Sequence, residues 1–443
     1  MAKVFISFLG TNRYISARYR LGDKISKPTP FVQEALVELL CSNWEEKDRL
    51  IFFLTSEACA KNWKDGGNFS EGLETRLKKK GLTAKIVSVK ISEGRSEEEI
   101  RKNFRTVIDQ LHKEDEVFFD ITHSFRSLPM LNLVALNYAR ALNRLQIKGI
   151  YYGAFEALGP PREVEKMPEE QRVAPVFDLT FYALLLDWSF AVDEFTRYGL
   201  AERLYELVKG EINPILKETK GRDERAKALR AMIEEIRSLT LSIYTCRCPK
   251  IETFTPRATT NLHQDLLSPF DSLFKKIEEK SMPFGAEDPW EKALSAVEWC
   301  IEHRLIQQGY TILLEAVITE ICRLLGAKDP YGDISLRKFV SALLSVTAAK
   351  TPPGEWRGEL RERREEAQKI QEVGGTPFLE VAKAYDKLNK MRNDINHCGC
   401  KKDSHKSAKL ITQLEELYQA LKKTMFSLKT KNLPKIFAED QSK

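Results

Sequence analysis

At 443 residues the chain is long enough for two or three domains, each with a core of its own. Hydrophobic residues at 42% and charged residues at 30% exclude a disordered chain, and a net charge of +6 permits a nucleic-acid partner without demanding one. No apolar run reaches membrane-spanning length and Met1-Ala2-Lys3 opens no signal peptide, so a cytoplasmic protein without membrane contact is the expectation.

In chain order, Lys3–Leu9 (K-V-F-I-S-F-L) reads as a first buried strand, ended by Gly10-Thr11-Asn12, with Arg13 and Tyr14 following. Phe31–Leu40 is helical through Leu36, Leu39 and Leu40. Arg49–Thr55 (R-L-I-F-F-L-T) is a second buried strand that ends on the hydroxyls of Thr55 and Ser56. Gly72–Lys80 is a helix closed by Gly81, Ala84–Val89 a third strand and Glu97–Leu111 an amphipathic helix. The stretch Glu116–Pro129 (E-V-F-F-D-I-T-H-S-F-R-S-L-P) then runs from buried strand through a polar loop into a helix begun by Ser127 and Pro129. Ile147–Phe155 is a fifth strand, and Pro175–Leu179 adds a short further one. Strands alternating with helices predict a mainly parallel α/β sheet with helices on both faces.

After Phe181 the strand signal fades, and Leu184–Tyr198, Leu200–Ile215 and Glu224–Ser242 read as helices. Cys246–Pro256 reads as a loop or short hairpin, Asp265–Lys280 as a helix and Ser281–Pro289 as a linker. Trp290–Leu325 gives two helical patterns broken near Gly309, and Ala348–Glu372 is polar and charge-rich. Phe378–Cys398 is a strong helix, and Ala408–Leu428 is the last before a lysine-rich tail. The expected division is 1–180 for the α/β domain, 181–289 for a helical connecting region and 290–443 for a helical domain.

Eight scattered cysteines in a chain this long do not make a disulfide framework. The pairs Cys246/Cys248 and Cys398/Cys400, the second beside His397, have C-x-C spacing, which is not that of a zinc knuckle, so ordinary thiols and no metal are expected. No G-x-G-x-x-G follows the first strand, which counts against a nicotinamide or flavin cofactor.

Two constellations carry chemistry. In the amino half, strand ends converge on Gly10, Thr11, Asn12 and Arg13, on Thr55 and Ser56, and on Thr122, His123, Ser124 and Arg126. Ligand sites in open parallel sheets form at such ends, and backbone amides, hydroxyls and arginines suit a phosphodiester. The alternative is that Ser124 or Ser127 caps a helix and Arg126 pairs with Asp120. In the carboxyl half, M-R-N-D-I-N-H-C (Met391–Cys398) places Arg392, Asn393, Asn396 and His397 within an arc of about 140° on an ideal helix. The stripe Val381, Tyr385, Leu388, Met391 and Ile395 lies mostly on the other flank. A guanidinium can neutralise a phosphorane and an imidazole can move a proton near neutral pH. The alternative is a pair of solvated cations at a helix C-terminus. Lys401, Lys402, Lys406, Lys422 and Lys423 read as a solvated face, with the tracking of an RNA backbone as the other possibility.

D-I-T-H-S-F-R-S-L-P resembles the signature of CARF sensor domains in accessory proteins of type III CRISPR systems. F-L-G-T-N-R-Y resembles the first-strand turn of those domains, with Asn12 where a glycine is common. Q-Q-G-Y-T-I-L-L-E-A (Gln307–Ala316) and R-N-D-I-N-H (Arg392–His397) resemble the two helical signatures of HEPN ribonuclease domains, and all four stretches stand in the family's order. The resemblance implies a Rossmann-like CARF sheet followed by an all-α region ending in a HEPN domain. It further implies a homodimer, with or without further assembly, that cleaves single-stranded RNA without metal or cofactor once cyclic oligoadenylate binds the CARF interface. Arg392, Asn393 and His397 would then be catalytic, and the three strand-end loops would hold the activator. The rival is a CARF-type regulator that binds nucleic acid without catalysis, for which no basic recognition helix is evident.

Overall fold

The computed structural model describes residues 1–123, 137–256, 271–400 and 404–437. It divides into two compact units, Met1–Leu186 and Asp187–Lys443.

The first unit is built on an eight-stranded sheet: β1 (Lys3–Phe8), β2 (Arg18–Leu21), β3 (Lys24–Ile25), β4 (Arg49–Leu54), β5 (Lys85–Lys90), β6 (Glu116–Asp120), β7 (Gln146–Gly153) and β8 (Val173–Asp178). Their order is β3-β2-β8-β7-β6-β1-β4-β5. From β5 to β7 all neighbours are parallel, whereas β8 runs antiparallel to β7. Strand β4 is an uninterrupted apolar run from Leu50 to Leu54, and β1 is apolar from Val4 to Phe8 except for buried Ser7, because both faces are covered. Phe5, Leu50 and Phe52 pack under α1 (Val32–Leu40) and α2 (Leu73–Lys79). Val4, Ile6, Phe8, Ile51 and Phe53 face α3 (Glu97–Ile108) through Val107 and join Leu111 beyond it.

The expected α/β architecture is met, with differences of detail. The β2–β3 hairpin, turned at Gly22-Asp23 with Gly22 at φ 57°, was not expected. The fifth strand ends at Gly153, and Phe155 belongs to a 3₁₀ turn. The helix expected from Ser127 falls largely outside the described residues, and only 137–143 is seen, as helix.

Among the described residues the second unit is helical. It includes most of α4 (Thr180–Tyr198), then α5 (Glu202–Glu218), α6 (Glu224–Tyr244), α7 (Asp271–Ser281), α8 (Pro289–Glu302), α9 (Ile306–Leu324), α10 (Ile334–Ala349), α11 (Arg364–Asn396) and α12 (Ser407–Lys429). Helix α9 is its axis: it packs on α8, α10, α11 and α12, and nearly every residue from Tyr310 to Cys322 is buried. An apolar circumference of this kind marks a helix surrounded by others.

Here the expected boundaries need correction. The break in Trp290–Leu325 lies at His303–Leu305, where Arg304 takes φ 59°, and not near Gly309. Gly309 sits within α9 because a methyl there would come 2.7 Å from Leu414 Cδ2 and 3.2 Å from Cys300 Cβ. Helix α10 falls where no element was expected. Cys246–Pro256 holds a short helix, Cys248–Glu252, rather than a loop or hairpin. The linker Ser281–Pro289 contains a 3₁₀ turn, Met282–Gly285, and 265–270 of the expected helix before it lie outside the described residues. The polar stretch before Phe378 is itself helical, since α11 starts at Arg364 and is interrupted only at Gly375 (φ 53°, ψ −140°). No helix among the described residues is long and apolar enough to cross a membrane.

Candidate functional site

The carboxyl ends of β6, β1 and β4 lie side by side; after β1 the chain forms the β2–β3 hairpin and α1 before it enters β4 on one side of β1, and it returns after β5 to β6 on the other. This is a topological switch point, where the loops part and leave a crevice. It brings together Gly10–Arg13, Thr55–Ser56 and Thr122–His123. Ser124 and Arg126 lie outside the described residues.

Inside that crevice the residues divide by role. Thr55 is buried and caps the following turn, its hydroxyl accepting the Ala58 N–H at 3.2 Å. Thr122 Oγ1 accepts the Gly153 N–H at 2.8 Å, and the Thr122 N–H donates to Asp120 Oδ1 at 2.9 Å. Asp120, fully buried, takes a second bond from Ser7 Oγ at 2.7 Å, and desolvation raises its pKa. His123 stacks on Tyr14 with centroids 4.6 Å apart and planes at 25°, and burial pushes its pKa down to about 4. Asn12, Arg13 and Ser56 are exposed and Thr11 is half-buried. A groove of about 320 Å³ adjoins Thr55 and Ser56, lined also by Cys59, Ser88 and Lys90.

The Gly10–Asn12 loop is held from below by two residues with no periodic signal to reveal them. Asn62, fully buried on a π-helical turn (Cys59–Trp63), donates to Gly10 O at 2.8 Å and Asn12 O at 2.9 Å. Asn68 Nδ2 bonds Asn62 Oδ1 at 2.9 Å and reaches Thr11 O at 3.3 Å.

In the second unit, the segments Gln307–Ala316 and Arg392–His397 meet where α9 packs on α11. Gln307 Nε2 reaches Asn396 Oδ1 at 3.4 Å. Tyr310, buried, donates to Leu410 O at 2.8 Å and lies 3.2 Å from Met391 Sδ. Arg392 is half-buried: its Nε is shielded from solvent without a hydrogen bond, and no carboxylate among the described residues pairs with it. Asn393 is half-buried, while Asn396 and His397 are exposed.

Two expectations about this helix are corrected. It ends at Asn396, with His397 as its C-cap, and does not continue to Cys398. Asp394 rather than Ile395 occupies the buried stripe after Met391, because its carboxylate accepts the His405 N–H at 2.9 Å and meets His405 Nδ1 at 3.2 Å. A second histidine eight residues after His397 was the available signal. All eight cysteines are free, and no group of three or more candidate metal ligands occurs among the described residues. Lys401 and Lys402 lie outside the described residues, and Lys406, Lys422 and Lys423 are exposed.

Residues 4–156 match the family model described as the CARF domain of the CRISPR system endoribonuclease Csx1, and so form a CARF-type domain. The chain is similar to the CRISPR-associated protein MJ1674 of Methanocaldococcus jannaschii, with 25% identity over 394 residues. That alignment covers 77% of this chain, which spans 57% of the relative's length. Among solved structures, Enterococcus italicus Csm6 bound to cyclic hexa-2′-fluoro-hexa-dAMP aligns over 97% of this chain and 94% of its own. It does so at 12% identity and a TM-score of 0.45.

Proposed function

We propose that this chain, with its CARF-type domain at residues 4–156, is a CRISPR-associated endoribonuclease switched on by cyclic oligoadenylate. The observation that carries the catalytic half is Arg392: a guanidinium without a carboxylate partner among the described residues, about 1.4 helical turns before an exposed imidazole at a helix end. An unneutralised cation near an imidazole suits an anionic substrate whose reaction needs proton transfer.

In this reading Arg392 holds the scissile phosphate of single-stranded RNA and offsets the charge that builds on its non-bridging oxygens. Asn393 positions that phosphate. The 2′-hydroxyl loses its proton and attacks phosphorus, the P–O5′ bond breaks, and the departing 5′-oxygen takes up a proton, with His397 serving proton transfer. The products are a 2′,3′-cyclic phosphate and a 5′-hydroxyl, and no step calls on a metal. A two-fold pair of chains would enclose one activator ring between their switch-point loops, as a symmetric ligand on a symmetric interface allows. Exposed Asn12, Arg13 and Ser56, with Arg126, would then meet its phosphodiesters. The activator favours cleavage to the extent that it binds the competent state more tightly.

The test is cleavage of labelled RNA with and without cyclic oligoadenylate, each with and without EDTA. Activator-dependent, EDTA-resistant cleavage with cyclic-phosphate ends is expected, lost in Arg392→Ala and in His397→Ala with activator binding retained. Activator binding without cleavage in the wild type would favour a regulator, and cleavage retained in either variant would move the active site elsewhere.

A further inference from the structure

The last turn of α11 places a carboxylate where its apolar stripe calls for a hydrocarbon. Phe378, Val381, Tyr385, Leu388 and Met391 are buried along one face, and the next buried position is Asp394, only 5% exposed. Burying a carboxylate is costly unless its oxygens are bonded, so its partners show what it is retained for. Two of the contacts on it come from eleven residues on: the main-chain N–H of His405 at 2.9 Å and its Nδ1 at 3.2 Å, both on Oδ2.

The main chain of the same residue grips the same return. Asp394 O accepts the Gly399 N–H and Ile395 O accepts the Cys398 N–H, both at 2.9 Å, while Cys398 at φ 55° takes the left-handed position. This is the pair of bonds of a Schellman ending, with a non-glycine residue in the strained place. His397 is the cap between these bonds, and its own N–H donates to Asn393 O at 3.0 Å.

We infer that Asp394 is a positioning residue for His397, tying the chain at His405 back to the last turn of α11 so that the imidazole is presented from a fixed helix end. The inference rests on the ribonuclease reading for what His397 does, but the tether itself does not. Without it, His397 would be held through main-chain bonds of a turn whose left-handed residue disfavours them.

The test uses the full-length chain and the variants Asp394→Ala, His405→Ala and His405→Asn, the last keeping a donor near the place of Nδ1. Three quantities are read: amide exchange across 397–406, carbethoxylation of His397 relative to exposed His112, and RNA cleavage at saturating cyclic oligoadenylate. In Asp394→Ala, exchange should quicken about tenfold and the His397 modification rate should change while that of His112 does not. The kcat should fall about 100-fold with KM and half-activating concentration within about twofold, since a displaced proton-transfer group costs rate rather than binding. His405→Ala should share the direction of these changes, and His405→Asn should recover most of the loss. If Asp394→Ala does not fold, the His405 pair decides the matter alone. Unchanged exchange, unchanged His397 reactivity, or kcat and KM moving together would overturn the positioning role. A wild-type chain that cleaves no RNA would instead remove the ribonuclease reading, and the exchange and modification measurements would still decide the tether.

Discussion

Gly10 is glycine for want of space and not for want of conformational freedom. A methyl group there would lie 2.5 Å from the Tyr14 hydroxyl, and the Tyr14 ring is fixed by its stack on His123 and its edge contact with Phe31. Gly10→Ala should therefore push the ring off His123 and cost about 1–3 kcal/mol of stability, as overpacking does. Adding Tyr14→Phe, which removes the clashing oxygen, should restore most of it. Thermal unfolding of the single and double variants checks this, and equal destabilisation of both would contradict it. His123 carries a second consequence. Its folded pKa of about 4 lies below the ordinary 6.5, so between those values the unfolded chain binds the extra proton. Its contribution is complete above about pH 6.5 and is withdrawn as pH falls toward 4. His123→Phe should accordingly lose less melting temperature than wild type between pH 7 and pH 4.5, and parallel slopes would show that His123 is not desolvated.

At the scale of the element, the end of α11 shows how far pattern reading reaches. The apolar stripe was legible through Met391, since residues three and four apart share a face. Its last member was not, because a buried carboxylate looks like a surface one until its partner is seen. The helix end was also hidden, as Cys398 is not the glycine that announces a left-handed cap. That mismatch gives a prediction. Cys398→Gly should stabilise the chain by about 1 kcal/mol by relieving the left-handed strain, with the Asp394 and Ile395 bonds retained. A lower melting temperature would mean that the Cys398 side chain makes contacts outweighing its backbone cost. Elsewhere the same limits recur. Strands β1, β4 and β6 are plain from their apolar runs, whereas β2 and β3 are too short and polar to stand out, with only Gly22-Asp23 to mark their turn. Gly309 was read as a break because glycine disfavours helices, but close packing against Leu414 and Cys300 outweighs that propensity.

Over the whole molecule, the sequence conveyed the two kinds of unit and the meeting of strand ends, because both follow from alternation and from the apolar strands. It could not convey which loop residues face a ligand and which hold the loops. Thr55 and Thr122 accept main-chain N–H groups within the loops, and Asn62 and Asn68 are props separated from Gly10 by some fifty residues of chain. On the proposed ribonuclease reading, the catalytic centre would be left to an assembly. One chain offers a single Arg392, its Nε shielded within the packed helices, and a single exposed His397 at the cap. A phosphate flanked on both sides needs a second set, which a two-fold partner would supply. Mixing Arg392→Ala/His397→Ala chains with wild type, exchanging subunits and confirming heterodimers by mass tests this directly. If each cleft draws on both chains, a mixed dimer is inactive, and activity should fall as the square of the wild-type fraction at constant total protein. A strictly linear fall would mean that each chain cleaves by itself, and the shared cleft would have to be abandoned even if Arg392 and His397 remain essential.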